Sequence, residues 1–187
     1  RLWSPLGDDA AREDAWAALG LPGRFADARV DYWSLCHGPE APVPLLLHAG
    51  IGIDGAPARE ALLRVMDHLG LGWSEHQLPP DQLGVACEVL ACAIEAEEPV
   101  LVRELRARYL LPWCEAVSTR LARGSPLAEL VAEFRADLDR TQCGGGIGGE
   151  ERIAGSGGKQ GDAVLFQVAN RAAADVVLAH FVDADCG

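Results

Sequence analysis

A chain of 187 residues is long enough for one domain with a self-sufficient core. Its formal net charge of -12 excludes the Lys/Arg surplus that sequence-independent nucleic-acid binding needs, and it disfavours an anionic membrane surface. Hydrophobic residues make up 49% but aromatics only 6%, and this Ala- and Leu-rich composition suits helix packing better than a β-sandwich.

No run of eighteen apolar residues occurs, so no membrane insertion is expected. No charged region followed by an apolar one opens the chain, so no secretion signal is expected either. Cys36, Cys87, Cys92, Cys114, Cys143 and Cys186 are dispersed, without a C-x-x-C pair or a His at zinc-ligand spacing. They read as free thiols of a reducing cytoplasm, with no metal and no disulfide expected.

In chain order, the first helix is predicted from about Asp8, with Asp8 or Asp9 as N-cap and Trp16 and Leu19 on its apolar side. Gly20-Leu21-Pro22-Gly23 stops it. A second helix fits Phe25 to Cys36, with Phe25, Ala28 or Arg29, Tyr32, and Leu35 or Cys36 inward. Leu45 to Gly55 reads either as a short helix and turn or as a strand-like fragment. Pro57 suits the first position of the next helix, whose stripe is Leu62, Leu63, Met66 and Leu69 and whose stop is Gly70.

After a loop carrying Trp73, His76 and two prolines, a helix is predicted from about Asp81 to Glu97, with Leu83, Ala86, Leu90 and Ile94 inward. Pro99 starts another, in which Leu101, Leu105 and Tyr109 recur every four residues. Pro112 should kink or break it before Trp113, Val117 and Leu121 continue the apolar face. Ser125-Pro126 opens a helix with Leu127, Leu130, Val131, Phe134 and Leu138 in period. Nine glycines between Gly144 and Gly161 predict a mobile tract, and Asp162 to Val182 one last helix. The fold expected is a single all-α bundle of about seven or eight helices over residues 1–187.

Motifs of chemistry are weak. Gly144 to Gly149 matches G-x-G-x-x-G but lacks the strand before it and the helix after it that aim backbone donors at a pyrophosphate. Lys159 has no upstream P-loop glycine and is followed by Gln160. No nucleophile elbow, His pair or carboxylate pair stands out, so neither a catalytic residue nor a cofactor is expected. Glu95, Glu97 and Glu98 lie at a helix C-terminus, unfavourably for its dipole, and read as solvated charge.

One stretch carries more. Leu78-Pro79-Pro80-Asp81-Gln82 leads into two helices, the second with Tyr109-Leu110-Leu111-Pro112-Trp113. The arrangement resembles the TorD/DmsD/NarJ family of molybdoenzyme maturation chaperones, which carry an acidic-Pro-x-Asp-His loop and a His-Leu-x-x-Trp helix. The likeness spans roughly Pro44 to Leu138. Pro80, Asp81, Leu110 and Trp113 match. Gln82 and Tyr109 stand where the family has His, and Leu78 or Pro79 where an acidic residue is common. Such departures suit a divergent branch, for instance the one serving type II dimethyl sulfoxide reductase-like enzymes.

The resemblance implies an N-terminal helical part (1–77), a linking loop (78–82) and a C-terminal helical part (83–187). It implies a cytoplasmic partner-binding protein without a cofactor, monomeric or homodimeric. The partner would be the twin-arginine signal peptide, or the apo-form, of a molybdoenzyme catalytic subunit, held back from export until its cofactor is inserted. Pro79, Pro80, Asp81, Gln82, Tyr109 and Trp113 would form one side of the peptide groove, with Asp81 as an exposed carboxylate and Trp113 as a surface anchor. The plain alternative makes Asp81 a helix cap and Trp113 core. Two other functional readings are a small helical enzyme or ligand-binding protein with a pocket near Trp73 and Trp113, and a purely structural helical subunit.

Overall fold

The computed structural model describes residues 2–37, 41–73 and 78–143. The Gly-rich tract 144–161 and the last predicted helix, 162–182, lie outside them. The described part is all-α. Its segments are α1 (Asp9–Ala18), α2 (Phe25–Cys36), α3 (Leu47–Ile51), α4 (Gly55–His68), α5 (Leu83–Glu95), α6 (Pro99–Leu105), a π-helical turn (Arg106–Leu110), α7 (Leu111–Ser118) and α8 (Pro126–Cys143). Among the described residues no helix is long and apolar enough to cross a membrane.

Local signals place most of these ends. The Asp8 carboxylate accepts from Ala11 N and caps α1, and Ser125 Oγ accepts from Ala128 N at the start of α8. The helix α4 begins two residues before Pro57, because Asp54 accepts from Ala56 N and supplies the cap. Proline at the third position still lies in the first turn, where its missing N–H has no intrahelical partner. The ambiguous stretch after Leu45 is the short helix α3, preceded by one antiparallel bridge between Leu46 and Gln82. In α2 the inward choices are Ala28 and Cys36, whereas Leu19 beyond α1 is 41% exposed rather than core.

The expected kink at Pro112 takes another form. Leu111 N donates to Arg106 O, an i→i−5 bond, so the chain widens into a π turn and continues as α7 with Pro112 in its first turn. The extra residue shifts the buried face. Leu105, Leu110, Trp113, Cys114 and Val117 are buried, while Tyr109, which a four-residue period puts inward, is only half-buried. Trp113 packs into the core against Trp3 at 5.5 Å between ring centroids. Gly50 on α3 lies so close that an added Cβ would stand 2.6 Å from Trp113 Nε1.

The helix α5 ends in a Schellman motif: Glu98 N donates to Ala93 O at 2.9 Å and Glu97 N to Ile94 O at 3.0 Å. The same pairing closes α4, where the left-handed position is Gly70 with φ 74°. At α5 that position is Glu97, with φ 55°. A side chain there is strained where glycine is not. Glu97→Gly is therefore expected to stabilise the fold by about 0.5–1 kcal/mol, read from the urea midpoint.

Cys36, Cys87, Cys92 and Cys114 are free thiols. Burial pushes Cys36, Cys87 and Cys114 up to about 12, so they stay protonated at neutral pH. Native protein at pH 8 should leave the buried Cys36 and Cys114 unmodified by a thiol reagent, and denaturant should release them; mass spectrometry of the labelled chain reads both.

Candidate functional site

The loop 78–82 crosses the segment 42–50, and the crossing builds the site. Leu47 N donates to Asp81 O and Leu83 N to Leu45 O, both at 2.8 Å. Asp81 is fully buried. One carboxylate oxygen accepts from Arg59 Nε on α4 at 2.9 Å, and the other meets His48 Nδ1 on α3. His48 in turn lies against Gly55, where a Cβ would stand 2.9 Å from the imidazole. Asp81 thus ties α3, α4 and the start of α5 together through a charge removed from water. Such a group is tolerable only with its partners in place.

Helix α5 is capped by Gln82 rather than Asp81. The Gln82 side-chain oxygen accepts from Val85 N at 3.1 Å, and its amide nitrogen donates to Trp3 O at 2.5 Å. Trp113 Nε1 donates to Pro44 O at 2.9 Å, and the ring is fully buried. Arg120 donates to Pro42 O at 3.3 Å and to Gly50 O at 2.9 Å. Pro42, Pro44, Leu45, Leu47 and Gly50 are therefore each held by a side chain or backbone group from residues 81–120.

In front of this crossing lies an open groove of about 640 Å³, within the size range of ligand clefts. Its lining is mostly apolar, with Pro5, Pro44, Leu45, Leu46, Ala49 and Pro79 among the residues that form it. His37 and Arg120 are the basic residues of its lining, and none of the described lining residues carries a carboxylate. Burial, and then Arg12, lower the pKa of His37, which favours its neutral form.

The expected site residues divide between the two faces of this wall. Pro79 and Gln82 line the groove. Pro80, Asp81 and Trp113 are buried. The expectation of an exposed Asp81 carboxylate and a surface Trp113 is thereby corrected: Asp81 is consumed by Arg59 and His48, and the Trp113 indole by Pro44. Tyr109 sits half-buried on the π turn and is not among the groove's lining residues. Trp73 is also half-buried. Sequence reasoning missed His48 and Arg59 because their partner lies 33 and 22 residues away. It also missed Arg120, whose role depends on carbonyls about 70 residues upstream.

Asp81→Asn should destabilise the protein by about 2–3 kcal/mol in chemical denaturation. That lies below the usual cost of breaking a fully buried pair because Arg59 and His48 are partly solvated. A loss under about 0.5 kcal/mol would remove the ion pair as an organising contact.

Among the described residues no three His, Cys, Asp or Glu side chains stand together to share a metal ion. No protein-family model matches the chain, and neither a curated protein nor a solved structure does.

Proposed function

We propose that this chain is a cytoplasmic maturation chaperone that binds the twin-arginine signal peptide, or the apo-form, of a molybdoenzyme catalytic subunit. It would hold that subunit back from export while the cofactor is inserted. The observation that carries this reading is a coincidence of place. The Pro-Pro-Asp-Gln loop that resembles the chaperone family is also one wall of an open apolar groove.

Physical chemistry supports a peptide as the occupant. An apolar cleft with few polar groups suits a peptide's apolar side chains better than a highly charged metabolite. The net charge of -12 attracts a basic segment from a distance. Because the described lining residues offer no carboxylate, the groove grips the apolar part of the peptide while the field of the whole protein draws in its arginines. Asp81 acts by fixing the wall, not by touching the peptide.

Two measurements test this. Ala49 is exposed on the groove wall, so Ala49→Trp fills the cleft without disturbing the core. The variant should bind a cognate twin-arginine peptide at least about tenfold more weakly at an unchanged melting temperature, on the scale of losing one well-buried apolar contact. Added salt should slow association and leave dissociation nearly constant. Unchanged affinity in Ala49→Trp would sink the groove as the peptide site.

A further inference from the structure

Among the described lining residues of the groove, Arg120 alone carries a permanent charge. It follows the end of α7 and is exposed. Its guanidinium lies across the segment 42–50: one terminal nitrogen donates to Pro42 O at 3.3 Å and the other to Gly50 O at 2.9 Å. Pro44, Leu45, Leu46 and Ala49, which fall between those two carbonyls in sequence, line the groove with it. The head group is thereby held beside the apolar lining before any ligand arrives.

This arginine is set apart from most others in an acidic chain. Among the described residues, every other arginine except Arg123 lies within 4.0 Å of a carboxylate oxygen. Arg123 is exposed and is not among the groove's lining residues. Arg120 has main-chain carbonyls and the C-terminal end of α7 in place of a carboxylate. The two carbonyls use fewer than half of the N–H donors that a guanidinium carries. The other basic residue of the lining adds little charge. His37 Nε2 lies 3.5 Å from Tyr32 Oη, whose proton goes to Leu2 O, and its ring rests on Trp33 with 4.3 Å between centroids. Burial and Arg12 favour its neutral form.

A clamp on two carbonyls needs two N–H donors but no charge. A pre-positioned cation without a counter-ion, in the lining of an apolar groove that has no described carboxylate, is complementary to an anion on the groove's occupant. We propose that Arg120 is a specificity-determining residue: the groove takes a peptide segment of apolar side chains carrying one acidic side chain, whose carboxylate meets the unclaimed N–H groups of Arg120. The net charge of -12 opposes an acidic segment at a distance, so this preference arises by contact. Assigning the segment to a twin-arginine signal peptide rests on the proposed function; recognition of the carboxylate does not.

The test uses the whole chain and two series of fluorescent peptides, read by anisotropy. One series has two adjacent arginines followed by a run of leucine, alanine and serine; the other has the same run without the arginines. Each peptide carries a single glutamate, scanned along the run, or glutamine at the same position. The protein should bind a glutamate peptide about three- to tenfold more tightly than its glutamine counterpart at one register, the scale of a partly solvated charge-assisted contact. Arg120→Gln should abolish that preference, and Arg120→Lys should keep part of it. An Arg120 that only clamps the segment 42–50 would make Arg120→Gln weaken both peptides alike and leave their ratio unchanged, which overturns the proposal. Equal affinities for glutamate and glutamine peptides in the unmutated protein also overturn it, and leave the chaperone reading standing where the arginine series binds more tightly. A glutamate preference with no gain from the arginines supports the role of Arg120 and counts against the chaperone reading alone. If neither series binds, both are overturned.

Discussion

The architecture depends on one crossing, where a proline-braced loop passes under an extended strap and leaves a carboxylate in the interior. A buried aspartate without partners would be protonated or expelled. Asp81 instead fixes the positions of Arg59 and His48, and so of the two helices α4 and α3 that carry them. The backbone of the same residue receives Leu47 N. One residue therefore sets both the height of the strap and the angle at which α5 departs. The groove is the space that remains in front of that constraint.

Much of the fold was legible because helices announce themselves locally. Phe25–Cys36 follows its period from end to end, Asp8 and Ser125 sit where caps belong, and Gly70 stops α4 in the expected way. Errors arose where two local rules competed. At α4 the cap at Asp54 outranked the proline at 57. In the helix after Pro99, a proline normally signals a break, but the chain absorbed it by adding a residue to one turn.

The site was less legible, for a physical reason. Pro79, Pro80, Asp81, Gln82 and Trp113 do gather around one loop crossing, but sequence says nothing of which face of a wall a residue occupies. Asp81 and Trp113 both carry polar atoms and both are buried, because their partners come from remote segments: Arg59, His48 and the Pro44 carbonyl. Gln82 shows the same limit. Its amide serves two backbone groups at once, one in its own helix and one at Trp3, 79 residues away. Only the first was accessible to local reasoning, as a cap.

The π turn at Arg106–Leu110 has a consequence for how the chain tolerates change in length. An α-helix advances its side chains by about 100° per residue, so the inserted residue acts as a rotational offset between the helix halves. Leu105 faces the core just before the turn, Leu110 at its last residue and Trp113 beyond it. Removing any one residue of the five would restore regular winding. It would also turn the half bearing Trp113 by about a quarter of a revolution, away from Gly50 and the Pro44 carbonyl. Substitutions are thus easier to absorb in this segment than a deletion. The length of the turn, more than the identity of its exposed residues, keeps the indole behind the strap.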